Sequence, residues 1–90
     1  MLEFDLIQDI DGKTLNTVLA PSMDSAIENS LTTLGFRVEP KGSDDKVRSY
    51  YLIDNNSGSE VFTFKHFFYE SACLEALSVL GYSIYATELV

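Results

Sequence analysis

MDSAIENSLTTLG, residues 23–35, and YESACLEALSVLG, residues 69–81, decide how this chain folds. In the first, Met23, Ala26, Ile27, Ser30, Leu31 and Leu34 fall at i, i+3, i+4, i+7, i+8 and i+11. Tyr69, Ala72, Cys73, Ala76, Leu77 and Leu80 repeat those positions in the second. That spacing places one apolar stripe along a helix. Gly35 and Gly81 follow the last position of each stripe, where a left-handed residue ends a helix. Pro21 and Ser22 suit the approach and N-cap of the first helix, with Asp24 in its first turn; the second has Glu70 in the matching place and no obvious cap.

The two stretches lie 46 residues apart, and the correspondence extends outward from them. Leu6, Ile7, Gly12 and Thr17 match Leu52, Ile53, Gly58 and Thr63 without a gap. Leu2, Phe4 and Leu6 alternate with Glu3 and Asp5, the pattern of a half-buried strand. Asp11 and Gly12 make a turn, and Thr14 to Leu19 return as a second strand. Tyr50 to Asp54, a turn over Asn55 to Ser59, and Glu60 to Lys65 repeat the plan. Phe36 and Val38, then Tyr82, Ile84 and Ala86, begin a short third strand in each half, and Pro40 to Asp45 read as a linker.

The expectation is an α+β fold: a tandem ββαβ duplication with a mainly antiparallel sheet of up to six strands and two helices on one face. It is one domain, 1–90, with internal repeats 1–44 and 47–90. Within each repeat, a helical crossover would lay the third strand beside the first, in the order 2-1-3. Two ordinary hairpin-helix segments can share such patterns, so the repeat is an expectation for the structure to meet. No family motif is recognisable.

Composition excludes several classes of function. Ninety residues, 46% of them hydrophobic and 22% charged, suit a small globular domain. One cysteine cannot form an internal disulfide, and neither a secretory signal nor a membrane-length apolar run is visible, so a cytoplasmic, soluble protein is expected. A net charge of −8 argues against direct binding to nucleic acid or to an anionic membrane. Residues 1–45 carry −6 of that charge and residues 46–90 carry −2. Glu3, Asp5, Asp9, Asp11, Asp44 and Asp45 are therefore candidates for an acidic surface, with simple solubility as the other account.

Catalytic and metal sites are not expected. Cys73 lies on an inward stripe, and His66 ends a strand, where a backbone partner is its simplest role. One Cys and one His cannot build a structural zinc site, and the glycines stand singly at turns, so no cofactor is expected. Nine of the eleven aromatic residues lie in the second half, and consecutive Phe67, Phe68 and Tyr69 cannot all point inward. With Leu74 and Val79, which fall off the inward stripe, they are candidates for a partner-binding patch; the other account is a thicker core.

The expected function is that of a small, acidic, non-enzymatic protein–protein interaction or regulatory module, with a homodimer among its candidate assemblies. The alternative is an acidic inhibitor that mimics nucleic acid, such as a phage counter-defence protein. Thiol chemistry at Cys73 with His66 is a third, enzymatic, reading.

Overall fold

The computed structural model describes residues 1–44 and 47–87, with side chains for 1–41 and 48–87. The fold is α+β. In chain order the elements are β1 (Leu2–Gln8), β2 (Thr14–Ala20), α1 (Met23–Leu34), β3 (Phe36–Asp44), β4 (Val47–Asp54), β5 (Glu60–His66), α2 (Tyr69–Val79) and β6 (Tyr82–Ala86). The strands form two antiparallel three-stranded sheets, β2-β1-β6 and β3-β4-β5.

The order expected inside each half is overturned. β3 does not return to β1; it pairs with β4, and β6 pairs with β1 in its place. The cause is the connection. Only residues 45 and 46 separate β3 from β4, and so short a link makes consecutive strands an antiparallel hairpin. β3 then occupies the edge of β4 that β6 would have taken, and β6 fills the equivalent edge of β1. For the same reason Pro40 to Asp44 are strand rather than linker, and Asp45 lies outside the described residues.

Positions 46 residues apart occupy equivalent places in the two sheets. Phe4 pairs with Val18 and Leu6 with Ile84; Tyr50 pairs with Phe64 and Leu52 with Val38. Both hairpins carry a bulge, between Leu6 and Ile7 and between Leu52 and Ile53. Both turns close the same way: Gly12 N–H donates to the Gln8 carbonyl at 2.8 Å, and Gly58 N–H to that of Asp54 at 2.7 Å. These two glycines have φ of 70° and 71°, in the left-handed region that side-chain-bearing residues avoid.

The core follows the same correspondence. Phe4, Leu6, Val18, Ala26, Ile27, Leu31 and Val38 pack in one cluster with Tyr50, Leu52, Phe64, Ala72, Cys73, Leu77 and Ile84. α1 lies against β1 and β2 of one sheet and β3 of the other; α2 lies against β3, β4 and β5 and against β6 of the first. The smallest extent, 20 Å, fits one layer of sheet and one of helix. Ala26, Ala72 and Ala76 are fully buried where helices and sheets approach. Ser30 is buried in the same layer, and its hydroxyl donates to the Ala26 carbonyl at 2.8 Å.

With third strands exchanged, neither half can complete its own sheet, so the chain should unfold as one unit. Leu6→Ala and Leu52→Ala, each at a fully buried site, should each cost about 2–5 kcal/mol and lower the midpoint of the same single transition. Two transitions moving separately in denaturant titrations would overturn this.

Candidate functional site

The two halves diverge at the junction between β5 and α2. At the start of α1, Ser22 is the N-cap and its hydroxyl accepts from the Ser25 N–H at 3.3 Å. The equivalent residue before α2 is Phe68, which makes no side-chain capping bond. Phe68 is 67% exposed and Phe67, which precedes it, is 64% exposed. Two aromatic rings therefore stand in solvent where the other half carries Pro21 and a capping serine.

The other candidates distribute around this junction. Leu74 and Val79 are exposed on α2, while Ala72, Cys73, Ala76 and Leu77 face the core. Five residues apart on a helix, Leu74 and Val79 lie about 140° apart around the axis and so flank the outward face rather than share one spot. Tyr69 departs from expectation. Its ring packs against the core 6.0 Å from that of Tyr50, and its hydroxyl donates to the Val38 carbonyl at 3.3 Å. It belongs to the packing between α2 and β3 rather than to an exposed patch, because its place on the helical stripe outweighs its neighbours' direction.

His66 does not take a backbone partner. Its Nε2 lies 2.8 Å from Glu75 Oε1, joining the end of β5 to the outward side of α2. Cys73 sits on the opposite, inward side, 2% exposed. It lines a cleft of about 220 Å³ between α1 and α2, together with Tyr69, Ile27 and the acids Asp24, Glu28 and Glu70. Burial pushes the Cys73 thiol up to about 11, and the carboxylates of Glu28, Glu70 and Asp24 add to that; a hydrogen bond with Tyr69 works the other way. Burial, Cys73 and Glu28 hold the Tyr69 phenol well above its ordinary range. A neutral, enclosed thiol is a poor nucleophile, and His66 is engaged elsewhere. Among the described residues no group of three or more His, Cys, Asp or Glu is placed to hold a metal ion.

The acidic candidates divide. Phe4 and Leu6 face the core, so alternation along β1 directs Glu3, Asp5 and Ile7 to the side of the sheet away from the helices. Asp5 Oδ1 accepts from Thr17 Oγ1 at 3.3 Å, and Asp9 Oδ1 accepts from Ser83 Oγ at 2.5 Å. Asp11 instead sits in the turn, where its carboxylate accepts from the Lys13 N–H at 2.9 Å. Asp44 is in β3 with its side chain outside the described residues, as is all of Asp45.

The outer face of the other sheet has a different character. The positions matching Glu3, Asp5 and Asp9 are Ser49, Tyr51 and Asn55. Arg37 bonds there to Glu39 at 2.8 Å and to Asn55 at 2.6 Å, and Lys41 lies 5.0 Å from the Tyr51 ring centre. Two features were missed by sequence reasoning: exposed Leu15 and Leu19 on β2, and exposed Tyr85 beside Asp5. Alternation could place Leu19 and Tyr85 outward, and the strand order sets them beside Glu3 and Asp5 on the neighbouring β1.

No protein-family model matches the chain, and neither a curated protein nor a solved structure shows significant similarity to it. No helix among the described residues is long and apolar enough to cross a membrane.

The Cys73 assignment carries a pH dependence. Below about pH 9 the thiol is protonated in folded and unfolded chains alike; above it the unfolded chain sheds the proton while the folded chain retains it to about 11. Stability should therefore fall as pH rises from 9 towards 10, and Cys73→Ala should flatten that part of the curve. An unchanged slope in chemical denaturation, or rapid alkylation of the folded protein, would contradict it.

Proposed function

We propose that this chain is a non-enzymatic protein-interaction module that docks a protein partner through Phe67 and Phe68, with Leu74 contributing on the adjoining helix. The observation that carries the reading is the exchange of a capping serine for an exposed phenylalanine at equivalent helix starts. An N-cap is worth about 1 kcal/mol, and a ring left in water returns nothing to the fold. Exposed aromatics beside a helix are instead the usual anchors of an interface. The buried, protonated thiol and the engagement of His66 with Glu75 fit a role that does not use them chemically.

The two demands separate in one substitution. Phe68→Ser should raise stability by about 0.5–1 kcal/mol by supplying the missing cap, while weakening partner capture from a native extract at least about tenfold. A Phe68→Ser protein that is no more stable, or that captures its partner as well as before, would remove the basis of the reading.

A second reading is favoured by the shared outward direction of Glu3 and Asp5 on β1, continued by Asp9. These carboxylates lie beside exposed Leu19 and Tyr85. Such a face suits a basic partner, and an inhibitor that imitates nucleic acid is one form of it. Replacing Glu3, Asp5 and Asp9 by their amides should then abolish binding to a basic protein, and added salt should weaken binding by the unsubstituted chain. Salt-independent binding in a titration would exclude it.

A further inference from the structure

The strands divide the charge of this chain unevenly. β1, β2 and β6 contain Glu3 and Asp5 and no lysine or arginine, whereas β3, β4 and β5 contain four of the chain's six, Arg37, Lys41, Arg48 and Lys65. Three of those four face away from the helices. Val38 and Phe64 point into the core, so alternation turns Arg37 and Lys65 to the outside, and Lys41 lies against the outer Tyr51 ring. Glu39 and Glu60 stand on the same side, each bonded within its own sheet, to Arg37 and to Thr63 Oγ1. Among the described residues, Lys41 and Lys65 make no ion pair, and neither do Glu3, Asp5 and Asp9 on the outer side of the other sheet. Each helix rests on strands of both sheets, and the 20 Å extent leaves room for a single sheet layer, so the two outer sides make one broad face, acidic over one half and basic over the other.

From this division we infer that the outer face takes a second copy of the same chain, laid face to face with its halves reversed. A two-fold axis in the plane of the layer, along the border between the sheets, sets the acidic sheet of each copy against the basic sheet of the other. Both contacts form at once, because the symmetry makes them identical. A basic protein of another kind would meet Lys41 and Lys65 as well as the carboxylates; a second copy brings each sign of charge to the half that lacks it. The inference does not rest on the Phe67 and Phe68 junction.

Apolar contact and area are available to it. Leu19 and Tyr85, each 61% exposed, stand beside Glu3 and Asp5, and Tyr51 is half-buried among the bases of the other sheet. The face spans 44 by 27 Å, more than the roughly 800 Å² that each partner covers in an interface of standard size. Copies of net charge −8 repel one another in most orientations, and the reversed one brings opposite charges nearest. Reversing the charge on one half should therefore break the contact, and reversing the other half as well should restore it.

Sedimentation equilibrium of the full chain, at concentrations up to about 1 mM, tests the proposal. The expected result is a monomer–dimer equilibrium with no larger species, since the two-fold contact leaves neither half free. Glu3→Lys with Asp5→Lys makes both halves basic, and Lys41→Glu with Lys65→Glu makes both acidic; each variant by itself should associate at least about tenfold more weakly. An equimolar mixture of the two should regain a dimer holding one copy of each, and a chain carrying all four substitutions should regain self-association. Far-ultraviolet circular dichroism establishes that each variant is folded; should the β1 variant unfold, Lys41→Glu with Lys65→Glu, at exposed positions, decides by itself. A monomer at every concentration, a dimer indifferent to a pair of substitutions, or folded variants that lose association and do not regain it when mixed would overturn the proposal. A chain that stays monomeric yet binds polylysine would overturn it in favour of a basic partner.

Discussion

Two residues join β3 to β4, and the rest of the architecture depends on that brevity. A longer link would let each hairpin and helix receive its own third strand, giving two self-sufficient units side by side. The short link makes β3 and β4 a hairpin, leaves β1 with an open edge, and commits β6 to close it. The consequence reaches the core. Ile84, near the C-terminal end of the chain, lies opposite Leu6 near its start, while Val38 takes the same position against Leu52. Each half thus contributes to the sheet of the other, and both helices rest on strands from both sheets. A small chain with a modest core gains from this arrangement because no subset of elements buries its apolar face alone.

Against that common frame, differences between equivalent positions become informative. Ala20 is fully buried, while its counterpart His66 is partly exposed and bonded to Glu75. Phe4 is a plain apolar ring; its counterpart Tyr50 carries a hydroxyl that is buried without a hydrogen-bond partner in the described structure. Ser22 caps α1 and Phe68 leaves α2 uncapped. These departures lie in the second half, and two of them, the missing cap and the unpartnered Tyr50 hydroxyl, give up local stability that the first half keeps. Departures from local consistency concentrate where a surface is used for something other than folding.

Much of the fold was legible in the residues because it rests on short-range rules. The stripes from Met23 to Leu34 and from Tyr69 to Leu80 set the helices, Gly12 and Gly58 set the turns, and alternation set which of Glu3, Phe4, Asp5 and Leu6 faces the core. The exchange of β3 and β6 was not legible in that way. Local pattern suits β3 to an edge of either β1 or β4, and its pairing with β4 from Phe36 to Asp44 is a long-range outcome. The site was legible in part for the same reason. That Phe67, Phe68 and Tyr69 could not all point inward followed from their being consecutive, but which of the three turned inward depended on Tyr69 sharing the stripe with Cys73 and reaching the Val38 carbonyl. Leu19 looked like an ordinary strand residue, and its 61% exposure shows only in the structure.

The arrangement separates two kinds of surface onto two sheets. Phe67 and Phe68 follow β5, the outer strand of one sheet, whose edge is charged and whose outer face mixes Arg37, Lys41 and Glu39. The acids Glu3 and Asp5 and the uncharged edge of β2 belong to the other. The carboxylates and the uncharged strand thus share one sheet, while the charged strand adjoins the exposed rings on the other. Equivalent elements therefore present different surfaces, and the asymmetry comes from side chains that the shared interior never constrains.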